Sequence, residues 1–118
     1  MIIFGCMNSD SVLFKNINSS SADGSSMGGA IYLEEDASAT LEDVTISDCS
    51  ADFGGAIYNR GILEINGQTD ISGNAASAGG GGIYNTGEVY IYAGIVSENT
   101  ATYGGNIYNS GDLYIENG

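Results

Sequence analysis

Carboxylates are the only abundant reactive side chains in this sequence. Its 118 residues include 15 Asp and Glu, two basic residues (Lys15 and Arg60) and no His. A pair of carboxylates could serve glycoside hydrolysis, one as acid and one as nucleophile or base. Asp48 and Asp52 lie four residues apart in one segment, and Asp23 stands at the matching place a period earlier. In so acidic a chain some such pair is always present, so the spacing singles out none. Elimination at a uronate would want a base for the α-proton and a cation at the carboxylate, and only Lys15 and Arg60 are on offer. Imidazole chemistry, whether proton transfer or metal ligation, is excluded outright. An enzyme acting on carbohydrate is thus a disfavoured reading, and no catalytic residue is assigned.

Metal binding is the next chemistry to weigh. Glu34-Glu35-Asp36 is a dense acidic run of the kind hard cations prefer. It lacks the spaced Asp and Gly of a calcium loop, so a solvated acidic loop is expected, with weak calcium binding left open. No residue set implies a cofactor. Cys6 and Cys49 could pair once, or stay as buried or incidental thiols. A flat Thr-x-Thr array for ice is absent, because only Thr100-Ala101-Thr102 fits.

Charge narrows the partners. A net charge of -13 leaves nothing to neutralise phosphates, so neither nucleic acid nor an anionic lipid surface is expected. No run approaches the ~18 apolar residues of a membrane span, so direct membrane insertion of this segment is not expected. The first residues, Met1-Ile2-Ile3-Phe4-Gly5, show no basic stretch leading into a long apolar one. Disorder is disfavoured by 42% hydrophobic residues, including eight Tyr. Gly (19), Ser (14) and Asn (11) dominate the rest, and Pro is missing.

What would position any site is a repeat. Gly28-Gly29-Ala30-Ile31-Tyr32 recurs as Gly54-Gly55-Ala56-Ile57-Tyr58, Gly80-Gly81-Gly82-Ile83-Tyr84 and Gly104-Gly105-Asn106-Ile107-Tyr108. The Ile residues are 26, 26 and 24 positions apart, a period that signals stacked repeats. The approximate repeats are 1–27 (degenerate), 28–53, 54–79, 80–103 and 104–118 (partial), in a single domain. A second slot holds Ala39-Thr40-Leu41, Leu63-Glu64-Ile65, Val89-Tyr90-Ile91 and Leu113-Tyr114-Ile115. A third holds Val44-Thr45-Ile46-Ser47, Thr69-Asp70-Ile71-Ser72 and Gly94-Ile95-Val96-Ser97, with Ile17-Asn18-Ser19-Ser20 as the earliest copy. Alternation of period two makes each slot a strand, and no segment has a helical period with caps.

Three short strands per period, with Gly, Asn and Ser corners, suit a solenoid whose coils pair in parallel at ~4.8 Å. Equivalent residues then form ladders. Ile31, Ile57, Ile83 and Ile107 are expected to stack inside, as are Leu41, Ile65, Ile91 and Ile115, and Ile17, Ile46, Ile71 and Val96. Ile2 or Ile3 precedes Val12 and Leu13 by the spacing of Ile31 to Leu41, so the chain is expected to begin in the first strand of a coil. The parity of each strand puts Ala30, Ala56, Gly82 and Asn106 outside, and with them a tyrosine column of Tyr32, Tyr58, Tyr84 and Tyr108. Tyr90 and Tyr114 form a second column with Glu64 and Thr40. Asn59, Asn85 and Asn109 share the inward parity beside a corner, where stacked amides can bond from coil to coil. Asn74 and Asn99 recur at a second corner. The Gly pairs are expected to supply a positive φ or a close coil approach.

At these residues the chain resembles the adhesin-like right-handed parallel β-helix proteins, a group that includes the chlamydial polymorphic outer-membrane proteins and large surface proteins of gut bacteria and methanogenic archaea. Gly28 to Ile31 and Gly54 to Ile57 match the Gly-Gly-Ala-(Ile/Leu/Val) half of the chlamydial pattern. Gly80 to Ile83 and Gly104 to Ile107 match with the third position changed. In the Phe-x-x-Asn half, Ile71-x-x-Asn74 and Val96-x-x-Asn99 keep Asn but not Phe, while Ile46-x-x-Cys49 and Ile17-x-x-Ser20 keep neither. The resemblance covers residues 12–118. It implies an all-β, right-handed, single-stranded parallel β-helix with three strands per coil and about four to five coils, cut from a longer array. It also implies a non-enzymatic, secreted or cell-surface role, attached to an outer membrane or cell wall in the parent protein. The partner would be a protein or polysaccharide at a cell surface, and the tyrosine columns would serve either sheet stability or binding. Self-association through the coil ends, giving a structural filament, is the alternative.

Overall fold

The computed structural model describes residues 2–4, 12–15 and 27–116. β1 (Ile2–Phe4) and β2 (Val12–Lys15) come first. One coil follows as β3 (Ile31–Leu33), β4 (Ser38–Glu42), β5 (Val44–Ser47) and β6 (Ser50–Phe53). The next is β7 (Ile57–Asn59), β8 (Ile62–Asn66), β9 (Asp70–Ser72) and β10 (Ala75–Gly79). The third comprises β11 (Ile83–Asn85), β12 (Glu88–Ile91) and β13 (Ile95–Ser97), and β14 (Ile107–Asn109) and β15 (Asp112–Ile115) begin a fourth. The described residues of β3 to β15 thus form three coils and part of another, with β2 stacked on the first of them.

The strands stack as a β-solenoid. One sheet runs β1-β3-β7-β11-β14, a second β4-β8-β12-β15, a third β2-β5-β9-β13, and β6 and β10 form a fourth. All pairings are parallel except that of β1. The registers place Ile31, Ile57, Ile83 and Ile107 opposite one another. Leu41, Ile65, Ile91 and Ile115 form the next ladder, and Ile46, Ile71 and Val96 the third. Ile31, Ile57, Ile83, Leu41, Ile65, Ile46 and Ile71 are wholly buried, so three apolar columns meet in one core.

Four expectations are corrected. First, the first two complete coils add a short fourth strand to the three expected. β6 and β10 pair Ser50 with Ala75 and Ala51 with Ala76, and the third coil continues this side through bridges at Thr100 and Tyr103. Ala75-Ala76-Ser77-Ala78-Gly79 has no large apolar residue to mark an inward face, which hides the strand from a periodicity reading.

Second, the slot before Ile31, Ile57 and Ile83 is buried, whereas Asn106 is exposed as expected. Ala56 is wholly buried and Ala30 nearly so, and Gly82 is buried as well. The alternation does not run through the corner, because Gly28, Gly54, Gly80 and Gly104 have φ of 74°, 68°, 65° and 60°. The second Gly of each pair answers the close approach: a Cβ on Gly55 would lie 2.2 Å from the Gly81 carbonyl oxygen.

Third, β1 does not open a coil in register. It runs antiparallel to β3, with Ile3 opposite Tyr32. Fourth, β2 occupies the third sheet, not the second, and places Phe14 opposite Ile46, where Ile17 was expected. Ile17, Cys6 and Asp23 lie outside the described residues.

Candidate functional site: outer tyrosine columns on inner asparagine ladders

Two asparagine ladders hold the corners in register. Asn59 closes its own corner, accepting from Gly61 N at 3.1 Å and donating to Gly61 O at 3.2 Å. Its amide also reaches the next coil, donating to Asn85 Oδ1 at 2.8 Å and Glu88 O at 2.9 Å. Asn85 repeats this toward Asn109 Oδ1 at 2.7 Å and Asp112 O at 3.0 Å. Asn59 and Asn85 are wholly buried, and such amides are stable inside only when bonded. In the first coil Leu33 takes the same place opposite Asn59.

The second ladder bonds main chain to side chain. Asn74 Oδ1 accepts from Cys49 N at 3.0 Å, and Asn99 Oδ1 accepts from Asn74 N at 2.9 Å. Asn74 also donates to Asn99 Oδ1 at 2.9 Å and to Ile46 O at 3.1 Å. Asn106 then receives both Asn99 N at 3.0 Å and Asn99 Nδ2 at 3.1 Å. That role was not foreseen for Asn106, since it comes from the Gly-Gly-x-Ile motif and not from the Asn slot. Cys49 is buried, and its thiol lies 3.4 Å from Ser47 O.

These ladders fix the outward strands that carry the tyrosines. Tyr32 and Tyr58 stack at a ring-centroid distance of 5.4 Å, Tyr58 and Tyr84 at 4.9 Å, and Tyr84 and Tyr108 at 4.7 Å, with planes within 10°. Tyr84 also meets the edge of Phe53 at 5.3 Å. Both faces of Tyr58 and Tyr84 are therefore covered by neighbouring rings. A sugar cannot stack on either ring, and what each offers outward is a phenol edge and hydroxyl. Burial, then the adjacent phenols, pushes the Tyr58 hydroxyl above its ordinary pKa, and burial followed by Tyr108 does the same for Tyr84.

The second column is shorter and differently tuned. Tyr90 stacks on Tyr114 at 4.7 Å and approaches Tyr92 at 6.2 Å. Its hydroxyl donates to Glu88 Oε1 at 2.7 Å. That bond, reinforced by burial, pushes the Tyr90 pKa up to about 12.

The acidic candidates are dispersed. Asp48 is exposed at a corner with φ of 57°, while Asp52 accepts a bond from Ser77 Oγ at 2.7 Å. Glu34, Glu35 and Asp36 line an open hollow of about 490 Å³ together with Arg60. Arg60 donates to the Tyr32 hydroxyl at 3.3 Å and lies 3.9 Å from Glu35, an exposed pairing of small energetic weight. Among the described residues no three His, Cys, Asp or Glu side chains gather as a metal site.

Residues 68–86 match the family model of the Chlamydia polymorphic membrane protein repeat. The matched stretch holds Asn74 of one ladder, the Gly80-Gly81 corner, Tyr84 of the long column and Asn85 of the other ladder. This stretch is similar to a polymorphic membrane protein repeat. The likeness includes Ile71-x-x-Asn74, so the aliphatic residue in place of Phe does not remove it. In structural terms the polymorphic membrane protein-like unit is one inward Asn, one glycine corner and one inward Ile. No curated protein and no solved structure gives a match to the chain.

Proposed function

We propose that this chain is a non-enzymatic, adhesin-like module of a cell-surface protein, presenting the Tyr32–Tyr58–Tyr84–Tyr108 ridge to a protein or polysaccharide partner. The observation that carries the reading is the ridge itself: four phenols in register at 4.7–5.4 Å on the outer face of a solenoid. Tyrosine suits interfaces because it joins contact area to a hydrogen-bonding tip. Since the inner ring faces are covered, recognition runs through hydroxyls and edges. The surface location draws on the likeness of residues 68–86 to a membrane-protein repeat. The dispersed carboxylates and the scarcity of cations favour binding over catalysis.

The test is binding of the labelled chain to glycan arrays and to cultured epithelial cells, with Tyr58→Phe/Tyr84→Phe as the variant. Phenylalanine keeps the stack and removes the hydroxyls. Binding by the parent that the double variant loses, at unchanged circular dichroism, supports the reading. Equal binding by both, or none by either, overturns it.

End-to-end stacking of copies is less well supported. Ile115 and Ile95 are each 57% exposed near the open edges of β15 and β13, which would suit an added coil. At the opposite end β1, β2 and β4 edge their sheets, and β1 runs antiparallel to the stack, which an added parallel coil would not match. Light scattering across a salt series separates the two: a chain that lengthens with salt revives the filament.

A further inference from the structure

We propose that Tyr90 and Tyr114 form an oxidative cross-linking site, at which a one-electron oxidant joins two successive coils by an intrachain dityrosine bond. This goes beyond a binding role and does not depend on it. Three features meet here. The rings stack at 4.7 Å with planes 14° apart. Tyr114 is 45% exposed, so an oxidant can reach it and its ring can turn about χ2. The Tyr90 hydroxyl is bonded to a carboxylate at 2.7 Å, within the reach at which a base takes a proton directly.

The carboxylate gives Tyr90 its advantage. A phenol that loses an electron becomes strongly acidic, and oxidation is easiest when the proton can leave in the same step. Glu88 Oε1 is placed to receive it. In the long column the Tyr32 hydroxyl has the opposite arrangement, because it accepts a bond from the Arg60 cation. No carboxylate is bonded to Tyr84 or Tyr108 in the described contacts.

The reaction balances as follows. Tyr90 gives one electron to the oxidant and its hydroxyl proton to Glu88, leaving a neutral phenoxyl radical. Tyr114 gives a second electron to a second oxidising equivalent and its proton to solvent. Unpaired density lies at the carbons ortho to each oxygen, and a bond forms between one Cε of each ring. The hydrogens on those two carbons leave as protons while both oxygens are reprotonated, restoring two phenols. The net change is loss of two hydrogen atoms from the protein and two electrons gained by the oxidant. Metal(III) polypyridyl complexes and haem-peroxidase ferryl species belong to this class of oxidant.

The experiment uses photo-excited ruthenium tris-bipyridyl with persulfate as the terminal electron acceptor, on the folded chain at low protein concentration. Dityrosine fluorescence should rise in the monomer fraction, with a mass loss of two hydrogens. Digestion at acidic residues should yield a linked pair of peptides containing Tyr90 and Tyr114. Glu88→Gln keeps an oxygen acceptor for the Tyr90 hydroxyl but is no base, so it should slow this link several-fold and leave any Tyr84–Tyr108 link unchanged. Tyr114→Phe should abolish the link without altering the circular dichroism. The proposal is overturned if Glu88→Gln couples at the parental rate, if the first link joins Tyr84 to Tyr108, or if coupling occurs only between chains.

Discussion

Asn59 donates its side-chain amide to Asn85 across one coil at 2.8 Å, and Asn85 passes the same bond to Asn109 at 2.7 Å. Asn85 is thus the middle link, with bonds to both neighbouring coils and to its own corner at Gly87. Replacing it by Leu would remove the 2.8 Å acceptor of Asn59 and the 3.0 Å acceptor of the Gly87 N–H, leaving Asn59 Nδ2 with Gly61 O and Glu88 O and the Gly87 N–H with a 3.3 Å bond to Asn59 O. A lost hydrogen bond costs about 0.5–1.5 kcal/mol net, so Asn85→Leu is expected to lose about 1–3 kcal/mol. Asn59→Leu should lose less, because Leu33 already stands in its column and Asn59 Oδ1 serves only Gly61. Urea unfolding of both variants checks the order.

Gly55 and Gly73 separate two reasons for glycine. A Cβ on Gly55 would lie 2.2 Å from the Gly81 oxygen and 2.4 Å from the Ala75 oxygen, both main chain. Gly55→Ala should therefore prevent this coil from stacking, seen as loss of the cooperative melt. At Gly73 the φ is 71° and the nearest atom is 3.8 Å away. Gly73→Ala should cost only the left-handed strain, roughly 1–2 kcal/mol. Glu98 stands at the matching corner with φ of 55°, so Glu98→Gly should raise the melting temperature.

Alkaline pH should weaken the fold through the tyrosines. Tyr58, Tyr84 and Tyr90 all hold their protons more tightly when folded. A raised folded pKa contributes stability that is fully present below the unfolded value of ~10 and is lost as pH rises through the folded values. Melting temperature should thus fall from about pH 10 upward, the window ending near the Tyr90 value of about 12. Tyrosinate absorbance should show one late-titrating hydroxyl, and Glu88→Gln should return it toward the ordinary range.

Calcium should act only as an ionic medium. Glu34, Glu35 and Asp36 share their hollow with the Arg60 guanidinium, which opposes a dication there. At equal ionic strength calcium and magnesium should raise the melting temperature equally, by screening a net charge of -13. A calcium-specific rise removed by Asp36→Asn would contradict this.

The columns of Ile31, Leu41 and Ile46 were legible in the sequence because a branched apolar residue every coil leaves one face no alternative but the core. The tyrosine and asparagine columns followed from the same parity. Ala56 was misplaced because parity was carried through the Gly54 corner, where a φ of 68° turns the chain and buries the next residues. The β6 and β10 side was invisible because alanine, serine and glycine mark no inward face, and what defines it is the main-chain pairing of Ser50 with Ala75. β1 and β2 depart from their expected slots, β1 running antiparallel to β3 and β2 pairing with β5. The hydroxyl of Tyr90 depends on Glu88, two residues away, and that pairing is a matter of rotamer that spacing does not state.

From Asn to Asn, both columns pass an amide hydrogen from lower to higher residue number, over steps of 26, 24 and 25 residues, while Asn74 and Asn99 also donate back to Ile46 O and Ile71 O. The corners absorb these one- or two-residue differences, but the amide sequence tolerates no fraction of a turn. A gene encoding such an array therefore keeps its register when it gains or loses length in whole coils. The coil, rather than the strand or the hairpin, is the quantum in which this architecture can grow.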